Sequence, residues 1–228
     1  MNFVREQRWP ILVLQLSVLG LASLGLLSDF RQDHESSLLM FKQLGMYGVA
    51  FSVFFGGSAI YNERRSRRIL AVLGKAVTRR DYLSGLLLGV TLAAGLFCFV
   101  LGFTGSWILG GIGFSVPYIW FLMVCVLAAC MLASAVALFY STHLNPWMAA
   151  LMTGLTLGVP WVIAFEFGGG WRYILPVGSL MQVFLKASLD DQRIEWDWAI
   201  LVALVETICL WLAASWVFSQ IDVAVAVD

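Results

Sequence analysis

Long apolar runs separated by short polar links make up most of this chain. Between positions 83 and 165 there is no Asp, Glu, Lys or Arg. A helix that crosses a bilayer needs about 20 mostly apolar residues. Six segments qualify, with approximate cores at 10–27, 38–61, 83–109, 118–140, 147–165 and 198–218. The pattern predicts an all-α polytopic membrane protein, one transmembrane domain over 1–228. Six spans would put both ends of the chain on one side, together with the link at 62–82 and the short link at 141–146.

The link between the fifth and sixth segments, 166–197, is the longest. Gly168 to Gly170 break the fifth helix, and Pro176 interrupts the stretch after them. Leu180, Met181, Phe184 and Leu185 then recur at helical spacing. This predicts short interfacial helices whose apolar face lies in the lipid interface. Gly85, Gly89 and Ala93 form one small-residue ridge, and Gly154 with Gly158 a second. Such ridges let helix backbones approach closely where lipid removes the hydrophobic drive between helices. Packing inside the bundle is the expected use, with a subunit interface as the alternative.

Composition agrees with the pattern. The chain is 61% hydrophobic and 12% charged, whereas soluble domains carry about 25% charged residues. Cys98, Cys125, Cys130 and Cys209 all fall inside apolar runs without metal-site spacing, and read as small core residues. Arg5 and Arg8 before the first apolar run imitate a signal peptide. The absence of a small-residue cleavage site favours an uncleaved first helix.

The zero net charge hides a strong asymmetry. Seven of the 14 Lys and Arg residues stand in one link: Arg64, Arg65, Arg67, Arg68, Lys75, Arg79 and Arg80. With Arg5 and Arg8 they make nine basic residues on one side of a six-span chain, against five on the other. Basic residues beside spans stay cytoplasmic, which predicts cytoplasmic termini and a cytoplasmic basic link. Trp9, Trp107, Trp147, Trp171, Trp196 and Trp198 fall at segment ends, as interfacial aromatic belts require.

The basic link has its own order. From Glu63 to Lys75 no Pro or Gly occurs before Gly74. Ile69, Leu70 and Leu73 share one helical face, while Arg65, Arg68 and Lys75 fall on another. This spacing predicts an amphipathic surface helix over 63–75. Thr78 and Asp81 then match a capping box, which starts a new helix near Arg79. On composition alone this link is an anchor to lipid phosphates.

The order of residues points further. Glu63-Arg64, then Lys75-Ala76-Val77-Thr78-Arg79-Arg80-Asp81-Tyr82-Leu83-Ser84-Gly85 and Gly89, resembles the segment between spans two and three of type-2 ABC transporter permeases. These are the six-span membrane subunits of type V ABC exporters. Ala76 departs from the family's usual Pro, Arg67-Arg68 from its Gly-Thr, and Leu86 from its Lys. The resemblance implies that 63–75 is a coupling helix docking on a separate cytoplasmic ABC ATPase subunit. Glu63, Arg64, Arg65, Arg68, Ile69, Leu70, Leu73, Lys75, Arg79 and Arg80 would form that contact. It also implies a second permease copy or a paralogue, and a bacterial cytoplasmic (inner) membrane. The chain carries no Gly-rich phosphate loop of its own. No cofactor is expected in it, and ATP and Mg would belong to the partner. Membrane lipids are expected partners and nucleic acid is not.

Two charges stand inside spans, Lys42 and Glu206. A charge in lipid is costly and faces a partner or a water-filled path. Both are therefore candidates for lining a translocation path, paired or separate. In the structural alternative Lys42 snorkels outward and Glu206 bonds between helices. No metal-spaced cluster and no nucleophile motif occurs, and His34 and His143 stand in separate links. The function expected is export of a hydrophobic or amphipathic substrate, with a non-transporting membrane scaffold as the alternative. An intramembrane enzyme ranks third.

Overall fold

The computed structural model describes residues 34–65, 79–167, 173–190, 192, 194 and 198–220. Every regular element among them is helical. In chain order these are α1 (His34–Arg65), α2 (Arg79–Ile108), a 3-10 turn (Gly110–Ile112), α3 (Val116–Ser141), α4 (Pro146–Phe167), α5 (Val177–Leu185) and α6 (Trp198–Gln220). All but α5 and the turn are long and apolar enough to cross a membrane, which gives five candidate spans. They match the second to sixth apolar segments. The expected first span, 10–27, lies outside the described residues. The chain is a multi-pass membrane protein.

Local chemistry sets the helix ends. Ser115 enters α3 in an extended conformation and a proline stands in the first turn, where its missing N–H costs nothing. Gly113, at φ 111°, takes the left-handed turn that reverses the chain between α2 and α3. Pro146 opens α4 in the same way.

The bundle is built around α3, which touches α1, α2, α4, α5 and α6. In its most apolar stretch 83% of residues are buried by protein, against 17–44% in the other four spans. Those four turn rows of large apolar side chains outward, as Leu88, Leu92, Leu96, Phe99 and Phe103 do on α2. Outward and inward faces are equally apolar, so polarity does not decide which face packs. Close fit does. A methyl group at Gly56 would stand 2.7 Å from the main-chain oxygen of Ser134 and 3.0 Å from the Ala137 Cβ. The small residue there lets α1 lie almost backbone to backbone on α3.

The predicted ridges behave differently. A Cβ at Gly85, Gly154 or Gly158 would meet nothing within 4 Å, so among the described residues these glycines bring no two helices together. A glycine brings helices together only where a neighbour occupies the notch, and for these three none does among the described residues.

Hydroxyls in the core bond to their own helix. Ser52 donates to the Gly48 carbonyl at 2.9 Å, Thr153 to Ala149 at 2.7 Å and Thr207 to Ala203 at 2.7 Å. In lipid no water satisfies these groups, and the carbonyl one turn back is the nearest acceptor.

A second, smaller core fixes the relation between the two ends of the bundle. Ala59 and Ile60 of α1, Tyr82, Leu83 and Leu86 of α2, Leu138 of α3 and Phe218 of α6 pack together. Tyr82 and Phe218 stack with ring centres 6.3 Å apart. The end of α1, the start of α2, the link after α3 and the end of α6 therefore share one face. Leu109, Phe114, Tyr118, Ala187 and Ala199 belong to the larger core towards the other face.

Gly56→Ala is expected to destabilise the purified protein by about 1–3 kcal/mol, the usual cost of overpacking, while Gly154→Ala leaves it unchanged. Thermal unfolding in one detergent checks both. Equal effects would show that the α1–α3 approach is not the tight point.

Candidate functional site

The first candidate is the basic link. Helix α1 runs without a break to Arg65, so Glu63, Arg64 and Arg65 continue the helix of the span, and the rest of the expected 63–75 helix lies outside the described residues. The helix of the span simply continues for one more turn, since neither Gly nor Pro intervenes at 62–65. Helix α2 begins at Arg79 with Asp81 in its first turn; Thr78, the expected cap, lies outside the described residues. An acidic residue in that turn meets the positive end of the helix dipole and offsets Arg79 and Arg80. Arg80 and Asp81 are exposed. Arg67, Arg68, Ile69, Leu70, Leu73 and Lys75 lie outside the described residues. What the structure fixes is the pair of anchor points. Ile60 and Leu83 are fully buried in the same small core, so the link leaves and re-enters the bundle at one place.

The second candidate is formed by Lys42 and Glu206, which do not pair. The Lys42 ammonium donates to the Leu185 carbonyl. One oxygen of Glu206 accepts from the Leu175 N–H at 3.2 Å. Leu185 is the last residue of α5 and Leu175 stands two residues before its first. The two charges, one from α1 and one from α6, thus bracket one short helix. Lys42 therefore turns to main chain inside the protein instead of snorkelling freely to the surface.

Helix physics accounts for this arrangement. Helix α5 has nine residues, fewer than the roughly 12–15 below which isolated helices are marginal. Its N-cap, Pro176, supplies no side-chain bond. The last carbonyls of any helix lack intrahelical partners. A cation at the C-terminal end and an anion at the N-terminal end complement the helix dipole. Lys42 and Glu206 supply from neighbouring helices what the sequence of α5 lacks.

Shape fixes α5 as well. Its apolar face, with Val177, Leu180, Met181 and Phe184 buried, turns into the bundle and not into the lipid interface as the spacing suggested. Phe184 fills the notch at Gly45, where a Cβ would collide with the ring. Trp161 of α4 fills the notch at Gly178, where the closest ring atom is 2.6 Å from a Cβ position. Helix α5 packs mainly on α3 and also touches α4, α6 and α1. Beyond it, the Gln192 amide donates to the Gly113 carbonyl at 3.1 Å, and its oxygen accepts from the Ser115 N–H at 2.7 Å. That clamp ties the chain after α5 to the turn between α2 and α3.

The entry to α5 is strained. Leu175 has φ 49°, the only positive φ at a non-glycine among the described residues. A left-handed Leu costs about 1–2 kcal/mol. The Glu206 carboxylate bonds to the N–H of this same residue.

The arrangement positions a helix. It presents no nucleophile with a base, and among the described residues no three His, Cys, Asp or Glu side chains cluster to hold a metal ion. Sequence reasoning found Lys42 and Glu206 but missed Gln192, Leu175 and Gly45. Gly178 beside Pro176 was the available signal that something packs tightly there. Comparison of the chain with family models, with curated proteins and with solved structures gives no match.

Because each charge is bonded to main chain, Lys42→Met is not expected to rescue Glu206→Gln. The double variant should be no more stable than either single one, by thermal unfolding. A gain from adding Lys42→Met would show that the two residues interact as an ion pair.

Proposed function

We propose that this chain is the membrane-spanning permease subunit of an ATP-driven ABC exporter. It would have six spans, with 10–27 as the first, and would form the path for a hydrophobic or amphipathic substrate. The observation that carries the reading is the ordered basic segment from Glu63 to Gly85, which resembles the coupling segment of type-2 permeases. Its two anchor points are held together at one face of the bundle, which gives a docked partner a rigid footing. By the positive-inside rule that face is cytoplasmic.

On this reading Glu63, Arg64, Arg65, Arg68, Ile69, Leu70, Leu73, Lys75, Arg79 and Arg80 meet a separate ATPase subunit, which binds ATP and Mg. A second permease copy or a paralogue completes the path, and the complex sits in the cytoplasmic membrane of a bacterium. Lys42 and Glu206, bonded to main chain at the two ends of α5, are the candidates for lining the path.

Two experiments test the proposal. Co-expressed with an ATPase subunit that carries a Gly-rich phosphate loop, the chain should retain it on purification. Leu70→Asp with Leu73→Asp should release the ATPase while the chain stays in the membrane. Undiminished co-purification would overturn the docking surface, and failure of the unaltered chain to retain any such ATPase would favour a scaffold. In a background without the four native cysteines, Ser66→Cys should resist an impermeant thiol reagent in intact cells, while Asp33→Cys reacts. Labelling of position 66 would reverse the topology.

A further inference from the structure

We infer that the apolar segment 10–27 docks on one stripe of α1, where Gly20 receives the Tyr47 ring. The inference rests on the six-span reading, in which 10–27 crosses the membrane, and not on transport.

The stripe is the side of α1 that no described helix covers, since α2, α3, α4 and α5 take the others. Leu39, Gln43, Tyr47, Ala50 and Phe54 stand on it at helical spacing, and all are exposed. Its chemistry does not suit lipid. The outward row of α2 is wholly apolar, whereas this row carries a carboxamide and a phenol inside the span Ser36–Tyr61. Neither Gln43 nor Tyr47 hydrogen-bonds to a described residue, and hydrocarbon offers them no partner.

Connection, fit and polarity each point to 10–27 as the occupant. Only positions 28–33 separate it from His34, where α1 begins. Helices joined by so short a link are antiparallel neighbours. Aromatic rings in this chain fill glycine notches on adjacent elements: Phe41 at Gly105, Phe97 at Gly48, Phe184 at Gly45 and Trp161 at Gly178. Tyr47 is a ring of α1 with no such notch, and 61% of it is exposed. Counted from the ends that meet at the link, positions 27 and 38, Gly20 and Tyr47 lie at nearly the same depth. Ser17, Gly20 and Ser23 recur at every third position, so they share one side of a helix. Two hydroxyls thus flank the notch and can meet the Tyr47 phenol and the Gln43 amide across the seam. With 10–27 seated there, a second copy of the chain has to meet the bundle elsewhere.

Cross-linking of the full chain in its membrane, without the four native cysteines, tests the placement. Asn2→Cys should resist an impermeant thiol reagent in intact cells while Asp33→Cys reacts, as a crossing segment requires. Ser17→Cys with Ala50→Cys should form a link within one chain when treated with a short, membrane-permeant bis-thiosulfonate. Peptide mass spectrometry of the monomer reads it. Ser17→Cys with Leu155→Cys, on the exposed face of α4, should give none. Gly20→Leu fills the notch and should lower the Ser17–Ala50 yield by about fivefold or more, while Gly154→Leu leaves it unchanged. If 10–27 crosses but no Ser17–Ala50 link forms, the docking is overturned and the six spans stand. Equal labelling at 2 and 33 would overturn both. A link between two chains through Ala50 would give the stripe to a second copy, and a link to Leu155 would put 10–27 against α4. Either result, or a yield unchanged by Gly20→Leu, would overturn the inference.

Discussion

In hydrocarbon, two apolar helices gain nothing from hiding their surfaces from water, so the bundle depends on fit around α3. That helix carries no charge, and neighbours cover it on most sides. Its small residues, among them Ala129, Ala133, Ser134 and Ala137, keep its surface shallow. Gly56 supplies the matching absence of a side chain on α1. Dispersion between closely opposed backbones then replaces the hydrophobic drive. The remaining helices settle on α3 with one face each and leave the other to lipid.

Polar groups in such an interior are tolerated where something offsets their desolvation. For the hydroxyls it is the carbonyl one turn back. For Lys42 it is the Leu185 carbonyl at the end of α5. For Glu206 it is the Leu175 N–H before α5, which meets one oxygen, while the other is buried with no partner among the described residues. Each charge is thus met by main chain and not by the other charge.

The spans were legible because their signal is length and composition, which do not depend on tertiary context. Segments expected at 38–61, 83–109, 118–140, 147–165 and 198–218 each coincide with a helix. Asp81 falls in the first turn of α2 as read, while its expected cap Thr78 lies outside the described residues. The direction of α5 was not. Amphipathic spacing shows that one face is apolar, but lipid and protein interior attract such a face equally. The same ambiguity leaves open what faces Gly85, Gly154 and Gly158, which have no neighbour among the described residues. Gly45 and Gly56, which do receive a neighbour, carry no stronger sequence signal than those that do not. Lys42 and Glu206 were visible as charges out of place, yet their partners are main-chain atoms, and a sequence pattern names only side chains.

The two candidate sites are joined by the helices that reach both. Helix α1 contributes Ile60 to the small core beside the basic link and Lys42 to the exit of α5. Helix α6 contributes Phe218 to the same core and Glu206 to the entry of α5. At 1.5 Å per residue the lever arms are about 27 Å on α1 and about 18 Å on α6. A tilt of either helix about the small core therefore moves one end of α5 relative to the other. Leu175, at φ 49° with its N–H on Glu206 and its carbonyl on the Val177 N–H, stands at the point where such a displacement meets α5. A mechanical link between the faces of this bundle would thus run along two stiff helices and not through a chain of polar side chains in its core.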